Sequence, residues 1–224
     1  MHIGLIVGIG PAATDYYYRS LIERVAAAGA DLELTMTHAD TATLLANQSA
    51  GNEHGQVAIY EHLTRRLQAA GAHRVAVTSI AGHFRIRAFE RVSPLPVIDL
   101  LSAVRDEVQL RGFRRVGLLG TRGVMESKLY GALLDVEAIA PPNDNLDEVH
   151  EAYVTMASTA RCTDQQRAVF VEAGRALVKD YGADAVLLAG TDLALAFNGF
   201  SPDFPVVDCA EAHVEVIART AVRP

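Results

Sequence analysis

Short apolar runs alternate along this chain with longer stretches in which apolar residues recur at helical spacing. The short runs are typical of buried strands and the longer ones of amphipathic helices, so their alternation predicts parallel α/β architecture. The predicted strands lie near residues 3–8, 32–37, 74–79, 96–98, 115–120, 185–189 and 205–207. The predicted helices cover residues 12–28, 54–70, 84–91, 100–111, 125–136, 146–159, 164–181 and 209–221.

Two aspartates stand where predicted strands pass into predicted helices. Asp99 and Asp208 each follow a strand that begins at a proline, and each directly precedes a helix. Aspartate there is a favoured N-cap, because its carboxylate accepts hydrogen bonds from the first backbone N–H groups of the helix. A role in a functional site is the alternative. Residues 141–145, Pro-Pro-Asn-Asp-Asn, predict a surface loop.

The chain also contains an internal repeat. Three segments recur in the same order at an offset of about 110 residues, which is the signature of a duplicated structural unit. The pairs are 3–7 with 116–120, 71–77 with 182–188, and 96–99 with 205–208. We therefore expect two similar α/β lobes, pseudo-twofold related, with a cleft between them. The predicted first lobe is 1–98 plus 209–224, and the predicted second lobe is 99–208.

Composition and charge narrow the classes of function. Half of the 224 residues are hydrophobic and the formal net charge is −7, which disfavours a nucleic-acid partner. No apolar run is long enough to span a membrane and no signal-peptide pattern is visible, so we predict a cytoplasmic protein. Cys162 and Cys209 are too few for a disulfide framework or a thiolate zinc site. The eight histidines lack metal-ligand spacing, so we predict no metal.

The glycine-rich turn after the first strand allows two interpretations. Gly8-Ile9-Gly10-Pro11 opens a predicted helix and resembles a dinucleotide-binding fingerprint, for which Asp40 would be the ribose acid. Nicotinamide or flavin binding is therefore one possibility. The other is that backbone N–H groups of this turn bind a small carboxylate at the helix N-terminus.

Two further strand ends carry a family resemblance. Residues 77–83, Val-Thr-Ser-Ile-Ala-Gly-His, resemble the Cys-Asn-Thr-x-His segment of the aspartate/glutamate racemase family. Residues 189–192, Ala-Gly-Thr-Asp, resemble that family's Gly-Cys-Thr-Glu segment. The Gly-x-Gly-Pro opening with Thr14, and residues 120–126 with Tyr130, also agree. The resemblance extends from about residue 3 to about residue 220 and keeps the order and spacing of the motifs.

This resemblance implies a cofactor-independent enzyme with two facing α/β lobes. One cysteine from each lobe would flank the α-carbon of an amino acid, so that one thiolate removes the proton and the opposite thiol returns it. Small oxygen-bearing groups would hold the carboxylates. The family also makes a homodimer possible.

The reactive pair of that family is missing here. Ser79 stands at the position of the first cysteine and Gly190 at that of the second. A thiol becomes a thiolate near neutral pH after modest tuning, whereas a serine hydroxyl is far less acidic and glycine has no side chain. Gly190 is expected to leave open volume on one face of the substrate. Neither cysteine is an obvious substitute. Cys162, at the start of a predicted helix, is predicted to be a buried or idle thiol, whereas Cys209, at a strand end, is predicted to be structural, with an approach to the cleft as the alternative.

The remaining groups define the candidate site. The predicted acid–base residues are His83, Asp192 and Ser79. His83 follows Ser79 by four residues, so one helical turn would place an imidazole beside the hydroxyl. A histidine that only satisfies backbone groups is the alternative. The predicted substrate-binding residues are Gly8, Gly10, Ser79, Ile80, Thr121, Gly190 and Thr191.

Three functions follow from these observations. The first is an enzyme that acts on a small carboxylic or amino acid by one-sided proton transfer, isomerase or decarboxylase-like lyase chemistry. The second is a catalytically inactive homologue that binds a carboxylate or regulates a partner. The third is a nucleotide-dependent oxidoreductase that uses the Gly8 turn.

Overall fold

The computed structural model describes residues 1–8 and 10–222, and within them the chain forms two compact units. Unit 1 comprises Met1–Leu100 and His213–Pro224, and unit 2 comprises Leu101–Ala212. Each unit contains a four-stranded parallel sheet with helices packed against it. The predicted α/β class with parallel sheets is confirmed. No helix in the described part of the chain has the length and apolar character to cross a membrane.

The described residues form eight strands, ten α-helices and three 3₁₀ turns. The strands are β1 Ile3–Val7, β2 Leu34–His38, β3 Arg74–Val77, β4 Val97–Ile98, β5 Arg115–Gly120, β6 Glu137–Ile139, β7 Ala185–Ala189 and β8 Val206–Asp208. The helices are α1 Pro11–Ala27, α2 Thr41–Ser49, α3 Glu53–Ala69, α4 Ile86–Glu90, α5 Leu100–Leu110, α6 Arg122–Glu126, α7 Asn143–Thr159, α8 Asp164–Lys179, α9 Ala194–Phe197 and α10 Cys209–Ala221. The 3₁₀ turns are Ala81–Arg85, Leu129–Gly131 and Thr191–Leu193.

The two sheets have the same topology, as the internal repeat predicts. Unit 1 has the strand order β2-β1-β3-β4 and unit 2 the order β6-β5-β7-β8. The central pairs are also equivalent, since β1 pairs in parallel with β3 and β5 pairs in parallel with β7. The central strands β1 and β7 are buried along their full length, which is typical of a sheet covered on both faces.

A glycine in each first strand shows how the repeat is packed. A Cβ at Gly4 would lie 2.9 Å from a methyl carbon of Leu67 on α3. A Cβ at Gly117 would lie 2.8 Å from Leu177 on α8. Each unit thus brings a leucine of a long helix against a strand backbone at a residue without a side chain. The same close packing of helix on strand occurs twice, which supports the duplication.

The structure differs from the predicted elements in both units: α2 of unit 1 is not among the predicted helices, and the other large differences lie in unit 2. The helix predicted over 125–136 is wrong, because α6 ends at Glu126 and Lys128, Leu129 and Tyr130 adopt positive φ angles. The loop predicted over 141–145 is also partly wrong, since α7 begins at Asn143 with Pro142 as its N-cap. Apolar residues of 125–136 such as Leu129, Leu133 and Val136 are instead buried packing side chains, and the short edge strand β6 begins only after this stretch.

Candidate functional site

The candidate residues lie where the parallel strands of each unit end. In unit 1, residue 8 follows β1, residues 78–80 follow β3 and residue 99 follows β4. In unit 2, residue 121 follows β5, residues 190–192 follow β7 and residue 208 ends β8. The carboxyl ends of parallel strands meet at one edge of a sheet, where α/β proteins bind ligands. The sequence motifs therefore gather at one edge of each sheet.

The turn after β1 needs glycine for backbone reasons. Gly8 has φ +132°, and a Cβ there would lie 2.0 Å from the carbonyl oxygen of Ala39. The Thr41 hydroxyl donates a hydrogen bond to the Gly8 carbonyl. Gly10 has φ +84° and is the N-cap of α1, with Pro11 as its first residue. Ile9, the central residue of the predicted fingerprint, lies outside the described residues.

Asp40, the ribose acid of the oxidoreductase hypothesis, caps a helix. Its Oδ1 accepts hydrogen bonds from the Thr43 backbone N–H at 2.9 Å and from the Thr43 hydroxyl at 2.6 Å. These hydrogen bonds lower the pKa of the Asp40 carboxyl below its usual value. The carboxylate therefore forms the N-cap of α2.

In unit 1 the end of β3 carries Ser79, Ile80 and His83, all buried. Nδ1 of His83 lies 2.6 Å from the carbonyl oxygen of Ser79, so the imidazole contacts the backbone and not the predicted hydroxyl. The backbone N–H of His83 donates to the Ile80 carbonyl at 2.9 Å. A carbonyl only accepts, so Nδ1 carries the proton and the neutral ring has its lone pair on Nε2.

The lone pair of His83 lies near a buried carboxylate. Nε2 of His83 is 4.0 Å from Oδ1 of Asp99 and has no hydrogen-bond partner within the described part of the chain. Arg87, on α4, lies with Nη2 3.1 Å from Oδ2 of Asp99. Burial lowers the pKa of His83, and the negative charge of Asp99 partly opposes this effect. His83 is therefore neutral at pH 7, with an unprotonated nitrogen inside the protein.

A second buried histidine, His213 on α10, has both ring nitrogens satisfied. Nε2 of His213 lies 2.9 Å from the carbonyl oxygen of Ile98, and Nδ1 lies 2.9 Å from the hydroxyl of Tyr17. Nε2 therefore donates and Nδ1 accepts. Burial, reinforced by neighbouring His83, lowers the pKa of His213 to about 3. His213 is a neutral structural residue that links α10, α1 and the end of β4.

In unit 2 two threonine hydroxyls at adjacent strand ends are buried without a partner. Gly120 and Ala189 are register partners of β5 and β7, so Thr121 and Thr191 follow neighbouring strands. Oγ1 of each threonine has no hydrogen-bond partner among residues 1–8 and 10–222. An unsatisfied buried hydroxyl costs free energy, and such groups are rare unless a ligand, ion or water completes them. Both threonines are predicted substrate-binding residues.

The expected open volume at Gly190 is wrong, because Tyr153 of α7 fills it. A Cβ at Gly190 would lie 2.3 Å from Cε2 and 3.0 Å from the hydroxyl oxygen of Tyr153. The Tyr153 hydroxyl donates a hydrogen bond to Oδ2 of Asp192 at 3.2 Å. Both residues are buried.

The two cysteines are not thiolates. Cys209, directly after β8, is fully buried, and burial raises the pKa of its thiol well above the usual value. Burial also raises the pKa of the Cys162 thiol, which lies near the start of α8.

Asp208 accepts hydrogen bonds from the N–H groups of Ala210 and Glu211, so its predicted N-cap role is observed. Burial nevertheless raises the pKa of Asp208 to about 6.

Tyr153 is the residue at these strand ends that sequence reasoning missed. It occupies the apolar face of α7 together with Leu146, Val149 and Met156, at helical spacing. That pattern alone indicates a core aromatic residue. Only its contact with Gly190 and Asp192 places it at a strand end. No group of three or more His, Cys, Asp or Glu side chains suited to a metal occurs in the described ranges.

Comparison with known proteins agrees with this architecture. The sequence pattern of the Asp/Glu/Hydantoin racemase family matches residues 6–217. A candidate Asp/Glu racemase from Yersinia pestis shares the fold at 23% identity, with all of both chains covered and a TM-score of 0.86. An aspartate racemase homologue from Pyrococcus horikoshii OT3 shares it at 24% identity, with 99% of both chains covered and a TM-score of 0.83. An arylmalonate decarboxylase, at 18% identity, gives a TM-score of 0.60 over 100% of this chain and 94% of its own.

Proposed function

Since the chain belongs to the Asp/Glu/Hydantoin racemase family, we propose that it is an enzyme acting on a small carboxylic or amino acid without a cofactor. Its reaction is proton transfer at the carbon next to a carboxylate, in an isomerase or a lyase such as a decarboxylase. Racemases and a decarboxylase with this fold support both reaction types.

The observation that carries this proposal is the pair of unsatisfied hydroxyls in unit 2. Oγ1 of Thr121 and Oγ1 of Thr191 lie at the ends of neighbouring strands, buried and without a partner in the described part of the chain. A substrate carboxylate has acceptor oxygens that match two hydroxyl donors. The free energy lost by burying these hydroxyls would be recovered when the carboxylate binds.

The proposed acid–base groups are Asp192 in unit 2 and His83 in unit 1. His83 presents an unprotonated Nε2, which suits a base, and Asp192 has a carboxylate held by the Tyr153 hydroxyl. The Ser79 carbonyl, and not its hydroxyl, contacts the His83 ring. We therefore assign the Ser79 hydroxyl to substrate binding and not to a hydrogen bond with the imidazole. Backbone groups proposed to bind substrate are those of Gly8, Gly10 and Ile80 in unit 1 and that of Gly190 in unit 2.

Two-thiol racemisation does not fit this chain. Ser79 and Gly190 replace the reactive pair, and burial keeps both the Cys162 and Cys209 thiols protonated at neutral pH. Chemistry that needs one proton-transfer group is still available. Loss of an α-proton and loss of CO₂ from a malonate-like acid both leave an electron pair that delocalises into the remaining carboxylate. Return of one proton to that carbon completes either reaction.

The first test measures binding and turnover with the wild-type protein. A panel of small amino, hydroxy and malonic acids is screened for thermal stabilisation, with NADH and NADPH included as ligands of the oxidoreductase hypothesis. Each stabilising acid is then incubated in D₂O and followed by NMR for α-deuterium and for CO₂ release. We expect exchange or decarboxylation with at least one acid. Stabilisation without either reaction would favour the inactive binding homologue, and no stabilisation with any acid would contradict the proposal.

The second test replaces the hydroxyls one at a time. Thr121→Val and Thr191→Val keep the shape and remove an unsatisfied buried group, so stability should hold or rise while ligand stabilisation is lost. Thr78→Val is the matched control. Thr78 is also buried at a strand end, but its hydroxyl lies 3.3 Å from the Ile6 carbonyl. This control should lose stability and keep ligand binding. Loss of stability without loss of binding in the Thr191 variant would argue against a carboxylate site there.

A further inference from the structure

Gly190 is not required by its own backbone conformation. Its φ of −156° and ψ of 117° are ordinary extended values that any residue adopts. The three atoms nearest to an added Cβ all belong to Tyr153, whose Cε2, Cζ and hydroxyl oxygen would lie 2.3, 2.8 and 3.0 Å away. The absence of a side chain at position 190 and the presence of an aromatic ring at position 153 are therefore one packing arrangement.

Tyr153 also brings a polar group to this place. Its residue is 5% exposed, and its hydroxyl lies 3.2 Å from Oδ2 of Asp192, which is 2% exposed. Buried tyrosines usually place the hydroxyl on a partner, and here that partner is a predicted acid–base residue. Helix α7 thus supplies a phenol where the resemblance places the cysteine side chain of the residue directly after β7.

The phenol acts as a donor in this contact. Burial raises the pKa of Tyr153 well above its usual value, and the nearby Asp192 and Cys209 raise it further. Tyr153 therefore keeps its proton at neutral pH and donates to the Asp192 carboxylate. The buried Cys209 thiol, whose pKa is also raised, does not compete as an ionised base.

We propose that Tyr153 is the positioning residue of unit 2: its ring occupies the space of a side chain at position 190 and its hydroxyl holds Asp192 for proton transfer. This inference rests on the proposed function. In the step it supports, a carboxylate oxygen of Asp192 takes the α-proton as the C–H bond breaks and an O–H bond forms. The electron pair passes into the substrate carboxylate, and return of the proton reverses the step. Tyr153 keeps its own proton throughout.

The first experiment separates the hydroxyl from the ring. Tyr153→Phe keeps the packing against Gly190 and removes the donor to Asp192. We expect kcat for exchange or decarboxylation to fall about tenfold or more, the effect of losing one hydrogen bond to a charged group. KM should stay within about threefold of the wild-type value, because Thr121 and Thr191 are unchanged. Tm should stay within about 3 °C, because the ring still packs against Gly190. Tyr181→Phe, which removes an exposed phenol hydroxyl in the same unit, is the control and should match wild type.

The second experiment needs no substrate. Gly190→Ala is made in three backgrounds: wild type, Tyr153→Phe and Tyr153→Leu. Overpacking should lower Tm by about 3–10 °C in the first two, which keep the ring. The cost should be clearly smaller beside leucine. An equal cost of Gly190→Ala in all three backgrounds would overturn the packing part of the inference.

The outcomes distinguish this inference from the function it rests on. Exchange by wild type that survives in Tyr153→Phe overturns the positioning role and leaves the proposed function standing. A wild-type protein that neither binds nor turns over any acid overturns both. A fall in kcat with unchanged KM and Tm, together with the coupled Gly190 effect, supports the inference.

Discussion

Replacing His213 with glutamine should remove the part of the acid sensitivity of unit 1 that comes from this buried histidine. His213 is fully buried and neutral, and it contacts Tyr17 and the Ile98 carbonyl, with His83 and Asp99 as its ionisable neighbours. Its pKa of about 3 in the folded protein lies below the usual histidine value of 6.5. The unfolded chain therefore binds more protons than the folded one between these values, and the contribution of His213 to stability falls as the pH drops through that window.

The size of the effect follows from the two pKa values. With about 3 folded and 6.5 unfolded, the contribution of His213 changes by about 2.5 kcal/mol between about pH 7 and about pH 4.5. This change arises because at about pH 4.5 His213 is almost fully protonated in the unfolded chain and almost fully unprotonated in the folded protein. His213→Gln retains a donor for the Ile98 carbonyl but does not titrate, so it should lose this pH dependence while costing some stability at neutral pH.

The assay is urea unfolding at a series of pH values, followed by the methyl NMR signals of Ile3 and Ile6 in the unit 1 sheet. The slope of the unfolding free energy against pH is compared between wild type and His213→Gln, since the contributions of ionisable groups that both proteins share cancel in the difference. His54→Gln, a change at an exposed histidine, is the control and should keep the wild-type slope. Equal slopes for wild type and His213→Gln would refute the reasoning, because His213 would then titrate alike in both states.

Three further predictions concern unit 2. Asp208→Asn should keep the N-cap of α10. Because the raised pKa of Asp208, about 6, makes its ionisation costly in the folded protein, the unfolding free energy of the variant should rise by up to about 3 kcal/mol relative to wild type as the pH increases from about 4 through 6. A difference in unfolding free energy that stays constant with pH in urea unfolding would contradict this. Thiol labelling of the native protein should modify the partly exposed Cys162, whereas the buried Cys209 should react only after unfolding; two labels in the native state would be the contrary result. Thr163→Ala removes the capping box of α8 and should cost about 1 kcal/mol of unfolding free energy, with no loss arguing that the cap is unimportant.

Much of the fold was predictable from residue patterns. Buried parallel strands such as β1 and β7 are continuous apolar runs, and long helices such as α3 and α8 show helical spacing of apolar residues. The sequence pattern does not predict α2, β6 or α9, and of the residues of α2 only Leu44 is buried. β6 has only three residues and α9 only four, so neither carries a periodic signal. The apolar pattern also does not indicate the positive φ angles of Lys128, Leu129 and Tyr130 after α6.

For the candidate site, the sequence alone determined which residues stand at strand ends and that Ser79 and Gly190 replace the cysteines of the resembled family. Strand ends and repeats are local in the chain, so they can be identified without coordinates. The tertiary structure alone decided which atoms meet there. It placed the His83 ring on the Ser79 carbonyl, because the backbone after β3 folds into a 3₁₀ turn there. It also brought Tyr153 into the space beside Gly190, because a contact between residues far apart in sequence arises only when helix packs on sheet.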